Sequence, residues 1–223
     1  MIIRVFDLKL PLQNRKQPRE EAKLLYFMKP LPESKLDTTD WKPFIKNEWF
    51  RNHYMYFVYC LQAVLLLLSI LLGIWHSLND FMKVGLFIST YVIHELLHLV
   101  VIYRIGDISI THSGIFFWIN SGAVLSKLRF FVFMSLPFIG LTVVPAIVAL
   151  FLFANEFAGQ IPQAGLPDVS GGLKDILVYV AWINAIIAGS DIINSVLIAI
   201  KPKKSLFYRG HYKVRSDVDE RIS

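Results

Sequence analysis

Residues 84–103 read VGLFISTYVIHELLHLVVIY, a twenty-residue run bounded by Lys83 and Arg104. At 1.5 Å per residue, twenty predominantly apolar residues cover about 30 Å, the hydrocarbon thickness of a bilayer. The run therefore predicts a transmembrane helix, yet it carries His94, Glu95 and His98. Ionisable groups at membrane depth are costly and usually face a polar interior or a cavity. Three of them within five residues need a shared partner, and a divalent cation supplies one.

Three further apolar blocks surround this one. Residues 57–75 are interrupted only by Gln62 and Ser69, and their distance from Met1 favours a signal anchor over a cleaved signal peptide. Residues 130–154 hold no charge but contain Pro137 and Pro145, which predict kinks. Residues 176–200 are apolar except for Asn184, Asp191, Asn194 and a few serines. Only 18% of the 223 residues are charged and 55% are hydrophobic, whereas soluble domains carry about 25% charge. That composition excludes an ordinary soluble domain and intrinsic disorder. The lone Cys60 excludes a disulfide framework and a Cys-based zinc finger. The expected fold is an all-α polytopic membrane protein with four transmembrane helices, at about residues 56–76, 83–104, 129–154 and 174–200. They form a membrane domain over 54–200, preceded by a cytosolic or interfacial segment (1–53) and followed by a cytosolic tail (201–223).

Eleven Lys and Arg precede the first block and seven follow residue 200, while Arg104, Lys127 and Arg129 lie between the second and third. The other two connections hold only Lys83 and Lys174. Basic residues favour the cytoplasmic side, so both termini are expected inside. Trp41, Trp49, Tyr54, Tyr56, Trp75 and Phe81 fit interfacial aromatic belts, and His53, His76, His112 and His211 read as interfacial or solvent-facing. Lys201, Lys203 and Lys204 are explained by topology and anionic lipid; no nucleic-acid partner is implied. Over residues 107–125, short apolar runs separated by His112-Ser113-Gly114 and Asn120-Ser121-Gly122 fit two or three strands in a meander. A re-entrant loop fits the same residues.

His94-Glu95-Leu96-Leu97-His98 is an H-E-x-x-H sequence inside a helix. Positions four apart share one face, so the two imidazoles can hold one Zn²⁺ while Glu95 polarises a water beside it. Catalytic zinc usually takes a third protein ligand. Val101 and Arg104 occupy the positions where a longer motif would continue to a third His. The remaining candidates are Asp107, His112, Glu156 and Asp191, and depth separates them. In the inward-running second helix, His94 and His98 lie ten and six residues before Arg104, about 15 and 9 Å from that end. Asp191 lies ten residues before Lys201 in a helix that also runs inward, again about 15 Å. Glu156 falls on the opposite side, and Asp107 and His112 fall beyond the helix end. Asp191 is the expected third ligand. Asn184, two turns earlier on nearly the same face, is a candidate donor to a substrate carbonyl or oxyanion, or equally an interhelical hydrogen-bond partner. Asn194 and Ser195 are placed to orient the carboxylate.

HELLH in one membrane helix with an Asp in a later one resembles the intramembrane metalloproteases of the site-2 kind. The late Asp there sits in L-D-G or N-P-D-G, whereas this chain has Gly189-Ser190-Asp191-Ile192. The chain resembles more closely the bacterial membrane proteins grouped as putative zincin peptidases. That resemblance rests on His94 to His98, Ser135-Leu136-Pro137-Phe138, residues 184–194 (NAIIAGSDIIN) and, more weakly, Tyr208-Arg209-Gly210-His211-Tyr212. It covers roughly residues 90–215 and implies His94, His98 and Asp191 as zinc ligands and Glu95 as general base. It also implies a bacterial cytoplasmic membrane. The expectation is a zinc metallopeptidase acting on membrane or membrane-proximal protein substrates, with the strands of 107–125 able to take an extended substrate by β-addition. Two rivals use the same residues: a non-catalytic protein that binds, senses or moves metal, and a silent homologue acting as a binding partner.

Overall fold

The computed structural model describes residues 36–103, 105, 108–113, 116–157 and 169–215. Expectations placed on residues 1–35, on Arg104 and Asp107, on 158–168 and on 216–223 lie outside them. The first helix, α1, spans Glu48–Leu71 and the second, α2, Asp80–Ile102. The third apolar block forms α3 (Lys127–Phe138), a π-helical turn (Ile139–Val143) and α4 (Val144–Phe157). The fourth forms α5 (Val169–Ile187) and α6 (Gly189–Ala199). Three helical stretches, Glu48–Leu71, Asp80–Ile102 and Lys127–Asn155, are long and apolar enough to cross a bilayer. The α5–α6 pair makes a fourth if, despite its 66° bend, it counts as one span. Large apolar side chains such as Leu67, Leu71, Phe87, Val100, Leu150 and Phe151 point outward from these helices, as a lipid solvent permits.

Local chemistry sets the helix ends. The Asn47 side chain accepts from the Phe50 amide at 2.9 Å and starts α1 some eight residues before the expected position. The same helix stops at Leu71 although the apolar run continues to Trp75. Gly73 adopts φ +70°, and the Gly73 and Ile74 amides return to the Ile70 and Ser69 carbonyls at 3.0 and 3.1 Å. This glycine-terminated Schellman closure needs a left-handed residue, and hydrophobicity does not report it. Asn79 caps α2 in the same way as Asn47 caps α1, accepting from Met82 N at 2.9 Å.

The third and fourth apolar blocks depart from regular helix in different ways. The block with two prolines is one continuous 29-residue helical stretch, with a π-turn between the prolines in which Val144 N reaches Ile139 O. The block without proline is the one that breaks. Ala188, at φ −75° and ψ 10°, bends the backbone between α5 and α6, while its amide still donates to Asn184 O at 2.7 Å and its carbonyl accepts from Ile192 N at 2.9 Å. At the next residue a Cβ would lie 2.9 Å from Gln62 Cγ of α1, so Gly189 is required by the close approach of that helix.

Short strands cover one end of the helices. Between α2 and α3, β2 (Ile108–Ser113) and β3 (Phe116–Ser121) form an antiparallel hairpin. The third strand expected in the same meander, β4 (Leu125–Ser126), pairs instead with β5 (Ser205–Tyr208). It does so because the region after α6 is an ordered hairpin. Here β5 turns through Arg209 and Gly210, both at positive φ, into β6 (His211–Val214), the backbone of a two-residue primed turn. β1 (Lys42–Pro43), from before α1, pairs with β6 and completes a four-stranded sheet of order β1-β6-β5-β4. His211, expected at the surface, is half-buried in that sheet.

The sheet packs on the helix ends through Phe44, Phe130, Phe133, Ile198, Phe207 and Tyr212, with Phe130 and Phe207 ring centroids 4.9 Å apart. Two lysines tie the layers. Lys127 Nζ, at the start of α3, donates to the Ala199 carbonyl at 2.8 Å and to that of Lys201, so it caps the negative end of α6. Lys201 Nζ donates to Phe44 O at 2.6 Å and lies 4.4 Å from the Tyr212 ring centroid. One hydrogen bond and one cation–π contact together give about 1–2 kcal/mol. Lys201→Ala should lower the stability of the detergent-solubilised protein by that amount in chemical unfolding. A loss below about 0.5 kcal/mol, the scatter of ordinary surface changes, would show the clamp to be incidental.

Candidate metal centre

The inward face of α2 is a stripe at four-residue spacing: Thr90, His94, His98 and Ile102 are its buried residues. His94 is 3% exposed and His98 2%. Val92, Ile93, Leu96 and Val100 occupy the outward side. From across the bundle, the break between α5 and α6 delivers Asp191, 1% exposed, in the first turn of α6. A helix N-terminus favours a carboxylate there. His94 Nε2 and His98 Nε2 each lie 3.0 Å from the same oxygen, Asp191 Oδ2. The three potential ligand atoms fall within 4.8 Å of one another and make the one candidate metal cluster among the described residues.

The surroundings fix which nitrogen of each imidazole carries its proton. His98 Nδ1 lies 2.6 Å from the Phe133 carbonyl, which can only accept. That carbonyl is available because its helical donor would be the amide of residue 137, and Pro137 has none. His94 Nδ1 lies 2.8 Å from Asn184 Oδ1. The amide orientation follows from its other partners, since Asn184 Nδ2 donates to Pro137 O at 3.0 Å and to Thr142 Oγ1 at 2.9 Å. Both Nδ1 atoms therefore carry hydrogen, so each ring in its neutral form turns its Nε2 lone pair toward Asp191 Oδ2.

Two nitrogen lone pairs aimed at one carboxylate oxygen repel unless a cation lies among them. A proton on one ring would pair that ring with the carboxylate and leave the second lone pair opposed. Protonating both would bury two imidazolium ions. A divalent cation accepts all three donors at once, and a pair of imidazoles with one carboxylate is a donor set that zinc takes at catalytic sites with a coordination position left open. The hydrogen bonds from Nδ1 to carbonyl oxygens are the arrangement that orients metal-binding histidines. On donor chemistry the residues present fit the ion.

Among the residues singled out in the sequence, His94, His98, Asp191 and Asn184 come together. Glu95 is half-buried beside them, within electrostatic reach of both histidines and Asp191. Asn184 is fully buried, and both hydrogens of its amide are engaged by Pro137 and Thr142. In this geometry it orients His94 and has no donor left for an oxyanion. Asn194 Oδ1 accepts from the Tyr54 hydroxyl at 3.0 Å, and Ser195 Oγ is buried with no hydrogen-bond partner among the described residues. Tyr54 is thus a buried partner of α6, and its place in an interfacial belt is corrected. Of the other ligand candidates, Asp107 lies outside the described residues, as do the side chains of His112 and Glu156.

Sequence reasoning missed Phe133, Pro137 and Thr142. The signal for the first pair was present: a proline inside a helix frees the carbonyl four residues earlier, and four residues before Pro137 is Phe133. Pro137→Ala would give that carbonyl its helical donor back and set it in competition with His98 Nδ1. Loss of an outer partner of a metal-binding histidine costs about 10-fold or more in metal affinity. The variant should bind Zn²⁺ about 10-fold more weakly in chelator competition while melting no lower than the wild type. Unchanged affinity would remove the Phe133 carbonyl from the account.

Neither the curated proteins nor the solved structures hold a match to this chain. A family model does match, over residues 87–206, a segment that contains both histidines of the cluster, Glu95, Asn184 and Asp191. More than half of the chain lies within that match, and the protein belongs to the putative zincin peptidase family.

Proposed function

We propose that the protein is a membrane-embedded zinc metallopeptidase that hydrolyses peptide bonds of membrane or membrane-proximal proteins. The observation that carries this reading is the convergence of His94 Nε2, His98 Nε2 and Asp191 Oδ2 with both Nδ1 atoms held by acceptors. Family membership supports it. A zinc ion bound there would supply Lewis-acid chemistry, polarising the scissile carbonyl and acidifying the attacking water.

The chain's own residues perform the rest. Asn184 and the Phe133 carbonyl hold the two imidazoles in the tautomer that presents Nε2. Glu95, next to His94 in sequence and turned toward the flank of α2, takes the proton of the attacking water and returns it to the departing amine. Water adds to the carbonyl carbon, the C–N bond breaks, and the proton moves from water through Glu95 to nitrogen. Glu95 is less buried than the histidines, as a group that must meet both water and substrate should be.

Two experiments test this. General acid–base groups contribute about 10²–10⁴-fold to rate, so Glu95→Gln should retain stoichiometric zinc, lose turnover by at least about 10²-fold, and trap uncleaved membrane proteins. Asp191→Ala should lose the metal. Glu95→Gln with undiminished zinc transport or sensing, in a wild type that cleaves nothing, would replace the peptidase reading with a metal-handling one.

The β2–β3 hairpin pairs with no other strand among the described residues, and its edges suit an extended substrate. Replacing residues 108–121 with a short Gly-Ser turn should keep the zinc and abolish proteolysis. Proteolysis that survived the replacement would exclude β-addition.

A further inference from the structure

The histidines of the metal cluster sit on an unbroken helix, but its carboxylate depends on the 66° break between α5 and α6. A break at membrane depth disturbs the backbone ladder where water cannot repair it, so the protein must supply polar partners. Two of them come from one helix outside the cluster. Gln62 Nε2 of α1 donates to the Ile186 carbonyl at 3.0 Å, in the last turn before the break. The Tyr54 hydroxyl of α1, 3.2 Å from Ser190 O and 3.0 Å from Asn194 Oδ1, meets the residue just before Asp191 and the residue three after it. Tyr54 and Gln62 stand eight residues apart on one side of α1 and bracket the break. Between their contacts, the absence of a side chain at Gly189 lets Gln62 approach. α1 packs chiefly against α5 and α6.

We propose that Tyr54 and Gln62 are positioning residues for the metal centre: as a clamp from α1 they hold the α5–α6 break in the shape that sets Asp191 Oδ2 against His94 and His98. The inference rests on the reading of these three residues as a metal site and extends that site to a helix lying before the family match, which begins at residue 87. The clamp acts on the direction of the carboxylate and touches no reacting atom. Releasing it swings α6 relative to α2 and leaves the two histidines in place. Its loss should therefore appear as a changed coordination geometry, and not only as reduced stability.

The test uses the full-length protein in detergent, titrated with Co²⁺ and followed by its visible absorption, which reports ligand geometry. Tyr54→Phe removes one hydroxyl and keeps the ring, and Gln62→Met keeps the length of the side chain and removes its donor. Each variant should bind Co²⁺ about 10-fold more weakly than the wild type with displaced absorption bands, at unchanged helical content. Wild-type affinity and bands in both variants would overturn the proposal, whatever happened to their melting temperatures. Should Gln62→Met not fold, Tyr54→Phe decides alone. A wild type that binds no Co²⁺, or an Asp191→Ala variant that binds it as tightly as the wild type, would instead overturn the metal-site reading and this proposal with it.

Discussion

Backbone and side-chain polar groups at membrane depth must find partners inside the protein, because lipid offers none. The architecture around Asp191 follows from that constraint. Irregularities in the helices near Asp191 free polar backbone groups, and side chains in and around the cluster take them up. Pro137 leaves the Phe133 carbonyl to His98. The carbonyl of Pro137 itself, beside the π-turn, and the hydroxyl of Thr142 within it hold the amide of Asn184. The break after Ile187 presents Asp191 in a first helical turn and gives Gln62 a carbonyl to hold. Straight helices would satisfy their own ladders and leave the imidazoles without oriented acceptors.

The sheet and the lysines extend the same logic to the end of the bundle. α6 is only eleven residues long, and it carries a carboxylate near its N-terminus and Lys127 against its final carbonyls. Both charges match the helix dipole. Lys127 belongs to the first turn of α3, where a cation is unfavourable for its own helix, so its placement is explained by α6. The β5–β6 hairpin then covers this junction with Phe207 and Tyr212, and β1 and β4 pair with it from before α1 and before α3. Residues flanking the apolar blocks thereby fix the position of the short helix that bears Asp191.

How far these features could be read in advance depended on whether they obey a period. The histidine pair and the matching depth of Asp191 are consequences of 3.6 residues per turn and 1.5 Å per residue, and they were legible. Gly73, Gly189 and Ala188 act through backbone conformation and close approach, which leave no periodic trace. The apolar run past Gly73 therefore suggested a first helix that ends later, and the proline-free fourth block suggested an unbroken one. The strands of the tail escaped because four-residue segments such as Ser205–Tyr208 are too short to show alternation. Asn184 lies beside the cluster, but its contacts turn on Thr142 and Pro137, two residues of another helical stretch that no spacing connects to it.

Within the H-E-x-x-H sequence, the helical turn separates the three ionisable groups into two environments. His94 and His98 differ by about 40° around the axis and point into the bundle, whereas Glu95 is rotated by about 100° from His94 toward its rim. The histidines can be desolvated because acceptors inside the bundle hold their Nδ1 atoms. Glu95 has no such enclosure and stays half-buried. The difference in burial follows from the step of about 100° between adjacent helical residues. The proposed general-base role makes use of it, because such a base must reach both water held at the cluster and an arriving substrate.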